Sequence, residues 1–396
     1  MPSSQTRLQI YLDHSATTPP RPEAIAKMQI AMQEQWGNPS SLHEWGQRST
    51  TMLELARAQV AELLGAIDPA AIVFTSGGTE ADNLAILGVA KCYAEPQHLI
   101  ISSVEHPAVS QPAYWLERRG WQVTYLRVDR CGRVRPHDLI AALRPNTVLV
   151  SVIFAQSEVG TLQPIAELGA IARDRGVLFH ADAVQAAGRV ALDVESLPID
   201  LLSVSSHKLY GPLGAGALYV RPGVELEPQL GGGRQEAGLR SGTPALPAIA
   251  GFGAAAELAA RELPGEGERL QHLRDRLFAQ LSDCESLVPT GDLHQRLPHH
   301  ASFVVRRSGE LLTGRTVVRQ LNLAGIGISA GSACHSGKVS PSPILTAMGY
   351  SETDALAGIR LTLGHSTTVE DIDWTALVLK QVLKRLGCGR QLTACN

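Results

Sequence analysis

The residues most able to do chemistry in this chain sit where short apolar runs end. One run, Leu201-Leu202-Ser203-Val204-Ser205, leads into Ser206-His207-Lys208-Leu209-Tyr210-Gly211-Pro212. Such a run reads as a buried strand, and the carboxyl end of a strand in an open α/β sheet opens on the ligand crevice. A lysine amine placed there can form a Schiff base with a carbonyl group. Its hydroxyl and imidazole neighbours suit an anion such as a phosphate ester. The bland alternative is a solvated lysine after a strand. The preceding run, Val177-Leu178-Phe179-His180-Ala181-Asp182-Ala183-Val184-Gln185, places Asp182 at a neighbouring strand tip. Its alternative role is a helix N-cap.

A Schiff-base lysine with an acidic partner for a pyridine nitrogen is the pair that a pyridoxal phosphate site needs. Other residues collect at successive strand ends. Ala71–Thr75 reads as a strand, and Ser76-Gly77-Gly78-Thr79 then opens a helix. Free N–H groups and the helix dipole at that turn suit an anion. The turn has neither Gly-x-Gly-x-x-Gly nor the P-loop Gly-Lys-Ser/Thr, which points to a small phosphorylated cofactor rather than a dinucleotide or ATP. His106 follows the strand 98–102, with a capping or core histidine as its alternative. Ser157 follows the strand 148–154. Gly231–Thr243 is glycine-rich and basic, expected as an extended loop that approaches phosphate closely; the alternative is a linker. Arg360 lies in an apolar strand, where a buried guanidinium needs an anion: a substrate carboxylate, or an internal carboxylate in competition. Cys334 lies in the small, polar stretch Ser329–Gly337, expected to be an exposed, mobile loop, with His335 and Lys338 favouring its thiolate.

The elements that must position these groups are legible in outline. Strands alternate with helices over about 71–220, which implies a largely parallel sheet. A helix is expected over 44–64, ending at Gly65. The stretch Ile10–Pro20 is a short apolar start followed by a polar turn whose prolines stop any helix, and it reads as an ordered N-terminal arm in which His14 is structural. Two helices are expected over 245–262 and 267–281. From about 265 the pattern changes to strands near 302–306 and 326–330 and helices near 313–322 and 369–387, a smaller α+β unit.

Composition narrows the class. The 396 residues allow two or three domains, and 44% hydrophobic and 18% charged residues are ordinary for a globular enzyme. A net charge of −3 gives no electrostatic case for nucleic acid or an anionic membrane. No apolar run reaches membrane-spanning length, and the first residues lack a signal-peptide core. Six cysteines, at 92, 131, 284, 334, 388 and 395, form no Cys-x-x-Cys pair. Their dispersal suggests reduced cytoplasmic thiols and no metal site.

Taken in order, nine stretches resemble the pyridoxal-phosphate cysteine desulfurases of the class V aminotransferase group. They are Tyr11–Pro19, Gly37–Ser41, Phe74–Glu80, Glu105–Pro107, His180–Gln185, Ser206–Pro212, Arg240–Thr243, Gly331–Cys334 and Ile359–Leu361. The resemblance runs from Tyr11 to about Trp374, and the Cys334 stretch is similar to the long catalytic-loop group associated with iron–sulfur assembly. It implies PLP fold type I: a large domain, 15–262, with a mainly parallel seven-stranded sheet, and a smaller α+β domain from 1–14 and 263–396 carrying the mobile Cys loop.

The resemblance also implies roles. Lys208 forms the Schiff base, Asp182 pairs the pyridine nitrogen, and His106 stacks on the ring and acts in proton transfer. Gln185 reaches the phenolic oxygen, with Ser157 nearby. Gly78, Thr79, Ser205 and His207 bind the phosphate, joined by Thr243 from the other subunit of a homodimer. Asn38 and Arg360 hold the substrate carboxylate, and Cys334 takes the sulfur as a persulfide. The implied reaction turns L-cysteine into L-alanine and passes sulfur to an acceptor protein such as an iron–sulfur scaffold. Selenocysteine lyase, cysteine sulfinate desulfinase and a degenerate PLP-fold scaffold are the alternatives. The chain departs from the family at Gln156-Ser157, where two asparagines are usual; the shorter Ser157 is expected to bond the cofactor through water or not at all.

Overall fold

The computed structural model describes residues 9–307, 312–331, 334–335 and 338–388, with backbone alone at 334–335 and 338–339. The side chain of Cys334 therefore lies outside what is described.

A seven-stranded sheet forms the centre of the larger part. Its spatial order is Ile72–Thr75, Gly216–Val220, Leu201–Ser205, Leu178–Asp182, Thr147–Ile153, His98–Ser102, Gln122–Leu126. Gly216–Val220 runs antiparallel to both of its neighbours, and every other pairing is parallel. The central strands are buried along their whole length, which is why they read as continuous apolar runs without alternation. Parallel pairing brings their carboxyl ends to one edge. Ile153 stands opposite Asp182, and Asp182 opposite Ser203.

Helix Glu44–Leu64 begins at His43, whose Nδ1 accepts from Gly46 N–H, and ends at Gly65 in the left-handed region (φ 68°). It packs closely on helix Leu246–Leu281. A Cβ at Gly253 would stand 2.6 Å from Ala56 Cα, so only glycine allows the approach.

One expectation is corrected here. Where two helices are expected over 245–262 and 267–281, Leu246–Leu281 form a single 36-residue helix, despite Pro264, Gly265 and Gly267. Its first half buries Ile249, Phe252 and Ala255 against the large sheet, and its second half buries Leu270, Leu273 and Leu277 in a separate core. Anchors on both sides of the Pro-Gly stretch hold it helical. Glu262 accepts two bonds from Arg21, and Arg269 pairs with Glu266 while donating to the carbonyls of Gly364 and Thr367. Tertiary contact outweighs local propensity. Helix Pro22–Gln33 follows the N-terminal arm. The prolines that end the arm lead to Pro22 at the first helical position, where a fixed φ favours helix.

The second core surrounds a four-stranded antiparallel sheet in the order Ser329–Ala330, Gly358–Thr362, His300–Val305, Leu287–Pro289. Ile10 and Leu12 of the N-terminal arm join this core, and Ile10–Tyr11 pairs with Ile326–Gly327. The expected strand 326–330 is thus two short strands in two different sheets. Cys334–His335 pairs antiparallel with Lys338–Val339.

Candidate active site

The carboxyl ends of the large sheet and the N-terminal arm enclose a cavity of about 370 Å³. That volume suits a small cofactor. Gly78, Thr79, His106, Ser157, Asp182, Gln185, Ser205, His207, Lys208 and Arg360 all line it.

Lys208 closes the short turn after Leu201–Ser205. Its Nζ donates to the carbonyls of Ser15 and Ala16, each at 2.7 Å. Burial pushes its amine down to about 8, the Arg360 charge adds to the effect, and Asp13 and Asp182 oppose it. A substantial neutral fraction near pH 8 is what a nucleophilic lysine requires.

Asp182 is buried, and its Oδ1 accepts from Val184 N–H at 3.0 Å. Burial raises its carboxyl above the ordinary range, against the pull of His106 and Lys208. A protonated ring nitrogen beside it would add a cationic partner that favours the carboxylate. His106 is the N-cap of helix Pro107–Glu117, and its Nδ1 accepts from Ala108 N–H at 3.1 Å. That bond fixes the neutral tautomer with its proton on Nε2. Burial lowers the His106 pKa, with Asp182 opposing and Lys208 assisting. The capping role and the site role thus fall to one residue.

The opposite end of the cavity has the form of an anion cradle. Helix Gly78–Lys91 starts there, and a Cβ on Gly78 would come within 2.6 Å of Val184 Cγ2, so the turn has no room for a side chain. His207 holds its ring by an Nδ1–Thr17 Oγ1 hydrogen bond at 3.1 Å, and burial lowers it to about 4, leaving a neutral imidazole. Size, cradle and the Asp182–Lys208 pair together fit pyridoxal phosphate.

The small sheet contributes the remaining wall. Arg360 donates from Nη2 to Asp13 Oδ1 at 2.6 Å and from Nη1 to Ser157 O at 3.0 Å. Its buried Nε has no partner among the described residues. The internal carboxylate weighed as a competitor is therefore present, and it fixes the guanidinium at the cavity wall.

The structure leaves two expected residues apart. Asn38 is exposed, with Oδ1 accepting from Ser40 N–H at 2.9 Å, and Thr243 is exposed; neither lines this cavity within one chain. Gln156 turns away as well. Its Oε1 accepts from the N–H groups of Glu158 and Val159, so it shapes the turn rather than meeting a ligand. His14 is buried against Gly364, where a Cβ would stand 2.1 Å from its ring.

Sequence reasoning missed several contributors. The carbonyls of Ser15 and Ala16 carry no side-chain signal, and Asp13 belonged to a matched stretch without receiving a role. Asp82 lines the cavity from helix Gly78–Lys91, and burial and Asp182 raise its carboxyl. Glu158 accepts from Ser342 Oγ at 2.6 Å, tying the turn beside the cavity to the segment after Lys338–Val339; burial pushes it up to about 7.

Among the described residues no helix is long and apolar enough to cross a membrane, and no cluster of His, Cys, Asp and Glu is arranged to hold a metal. The aminotransferase class-V family matches residues 10–374. The chain is 42% identical to "Cysteine desulfurase IscS" of Dictyoglomus turgidum over 96% of its own length and 95% of that protein's. A solved NifS-like protein superposes with a TM-score of 0.87 at 33% identity, covering 96% of this chain and 99% of that one. A structure described as SspA in complex with cysteine superposes with a TM-score of 0.79 at 34% identity, covering 90% and 99%. With likeness of this degree along nearly its whole length, the chain belongs to the class-V aminotransferase family and, within it, to the pyridoxal-phosphate-dependent cysteine desulfurases.

Proposed function

We propose that this chain converts L-cysteine to L-alanine and carries the released sulfur on Cys334 to an acceptor protein, such as an iron–sulfur scaffold. The observation that carries the reading is the convergence of Lys208, Asp182 and His106 from the large sheet with Arg360 from the small one. Bound pyridoxal phosphate supplies an electron sink for charge that develops at the substrate α-carbon.

The chain's own residues do the rest. Gly78, Thr79, Ser205 and His207 hold the phosphate, and Asp182 keeps the ring nitrogen protonated. Gln185 and Ser157 lie on the phenolic-oxygen side. Arg360, braced by Asp13, grips the substrate carboxylate. Lys208 removes the α-proton and returns a proton, with neutral His106 assisting. The Cys334 thiolate then attacks the cysteine sulfur: an S–S bond forms, the substrate C–S bond breaks, and the carbon takes up the electron pair and a proton. L-cysteine and the Cys334 thiol become L-alanine and the Cys334 persulfide.

The working unit in this reading is a homodimer. Asn38 and Thr243, exposed and away from their own cavity, complete the substrate and phosphate sites, Thr243 from the neighbouring subunit. The small unit, 1–14 with 263–396, carries the sulfur-bearing loop, and residues 15–262 hold the cofactor. The free thiols at Cys92, Cys131, Cys284 and Cys388 fit a cytoplasmic setting.

The test is the holoprotein with L-cysteine and a reductant, scored for alanine and sulfide together. Equal yields support the reading, and bound cofactor without alanine overturns it. Cys334→Ala is expected to retain cofactor absorbance and substrate binding but make no alanine; wild-type turnover in that variant removes Cys334 from the mechanism.

A further inference from the structure

Glu236 lies outside the cavity, in the loop 231–243, yet its side chain is only 4% exposed. Its Oε1 accepts from Arg57 Nη2 at 2.8 Å, and its Oε2 accepts from Arg57 Nη1 at 2.6 Å and from Phe74 N–H at 2.8 Å. Arg57 Nη1 also donates to Ile72 O at 2.7 Å. Ile72–Thr75 is an edge strand of the large sheet, so this clamp satisfies groups that a second neighbouring strand would otherwise pair.

The clamp fixes an unusual backbone. Arg234 (φ 61°), Glu236 (φ 50°) and Ala237 (φ 56°) are all in the left-handed region. Residues with a Cβ persist there only when their surroundings over-determine the conformation, and such strain concentrates at functional segments. A buried ion pair is weak evidence for stability and better read as a device that fixes geometry. The loop is secured again at its far end. Gly242 N–H donates to Gln235 Oε1 at 2.8 Å, and Arg240 Nε donates to Glu80 Oε1 at 2.8 Å. Glu80 Oε2 in turn accepts from Ser76 N–H at 2.7 Å. The element held so firmly ends in Thr243, which is exposed and has no place in its own cavity.

We propose that Glu236 is a positioning residue whose effect is exerted in the neighbouring subunit: clamped to Arg57 and Phe74 N–H, it holds the strained loop so that Thr243 completes the phosphate site of the partner. This rests on the homodimer reading, in which Thr243 serves the other chain's cofactor.

The test uses mixed dimers of two differently tagged chains, read by titrating pyridoxal phosphate and following the absorbance of the lysine-bound cofactor. Only a chain with Lys208 gives that signal. In the first arrangement one chain carries Glu236→Gln with Lys208→Ala and the other is wild type. The reporting site then receives its loop from the altered chain, and its affinity is expected to weaken about tenfold, as for loss of a charge-assisted hydrogen bond. In the second arrangement Glu236→Gln is on the reporting chain and Lys208→Ala on the other, and near wild-type affinity is expected. A defect that follows Glu236→Gln within its own chain overturns the proposal, as does an equal defect in both arrangements or in neither. Should Glu236→Gln fail to fold, Ala237→Gly relaxes the strained segment without removing a clamp atom, and a shift of about threefold confined to the first arrangement is expected. Thr243→Ala in the same arrangements separates the two readings. A monomer, or no effect of Thr243→Ala on the neighbouring site, overturns the homodimer reading and this proposal with it. A trans effect of Thr243→Ala without one of Glu236→Gln or Ala237→Gly overturns this proposal alone.

Discussion

The two walls of the cavity each present a half-buried cation, and they use it in opposite ways. On the large-sheet side, Lys208 is held by two backbone carbonyls, with no carboxylate contact among the described residues, and burial brings its pKa down to about 8. On the small-sheet side, Arg360 is ion-paired to Asp13 and hydrogen-bonded to Ser157 O. A lysine in a low-dielectric site can surrender its proton, whereas a guanidinium keeps its charge under any ordinary condition. In the proposed reaction one wall therefore reacts and the other holds. The supports match those tasks, since carbonyls accept from the amine without fixing its charge, while a carboxylate locks the orientation of a planar fork.

The most severe way to break this division is Lys208→Ala. It is expected to abolish the absorbance of lysine-bound cofactor and to lower kcat on the order of 10³-fold. Retention of that absorbance would show that another amine holds the cofactor. Arg360→Gln tests the holding wall. The KM for L-cysteine is expected to rise about 100-fold with the cofactor spectrum intact; a fall in kcat alone would place Arg360 in the reacting set instead.

A pH series sharpens the contrast. Capture of cofactor by the apoprotein is expected to accelerate about tenfold per pH unit below the Lys208 pKa and to level off near pH 8, because only the neutral amine attacks. In Arg360→Gln the break moves upward, since the Arg360 charge is one cause of the depression. A break near the ordinary lysine value in the wild type would refute the electrostatic account. The same depression makes the apoprotein gain stability as pH rises from about 8 toward the ordinary lysine pKa, because the unfolded chain binds more protons in that window. Below that window both states carry the proton and this dependence vanishes.

The smallest expected effect is that of Ser157→Ala. Its carbonyl, not its hydroxyl, meets Arg360 and His300, so KM should change by about threefold or less. A larger rise in KM would mean that the hydroxyl itself contacts the substrate.

Much of the reacting wall is legible in the sequence. Asp182 and Lys208 end continuous apolar runs, and parallel strands necessarily bring such ends to one edge. The helix at Gly78 announced itself through its glycine turn. The holding wall was legible only as a list of residues. Arg360 reads as a cation in an apolar strand that needs an anion, but the choice between an internal carboxylate and a substrate is not local, because Asp13 is 347 positions away.

By itself, then, the chain determined the residue types and the strand ends that do the chemistry, because apolar period and turn composition are short-range properties. The tertiary structure alone decided that Leu246–Leu281 is one helix, since ion pairs from Arg21 and Arg269 brace the Pro-Gly stretch. It alone decided that the Ser15 and Ala16 carbonyls hold Lys208, that Asp13 braces Arg360, and that Asn38 and Thr243 stay outside the cavity of their own chain. Each of these depends on groups distant in sequence meeting in one low-dielectric space, where burial and geometry set both charge and contact.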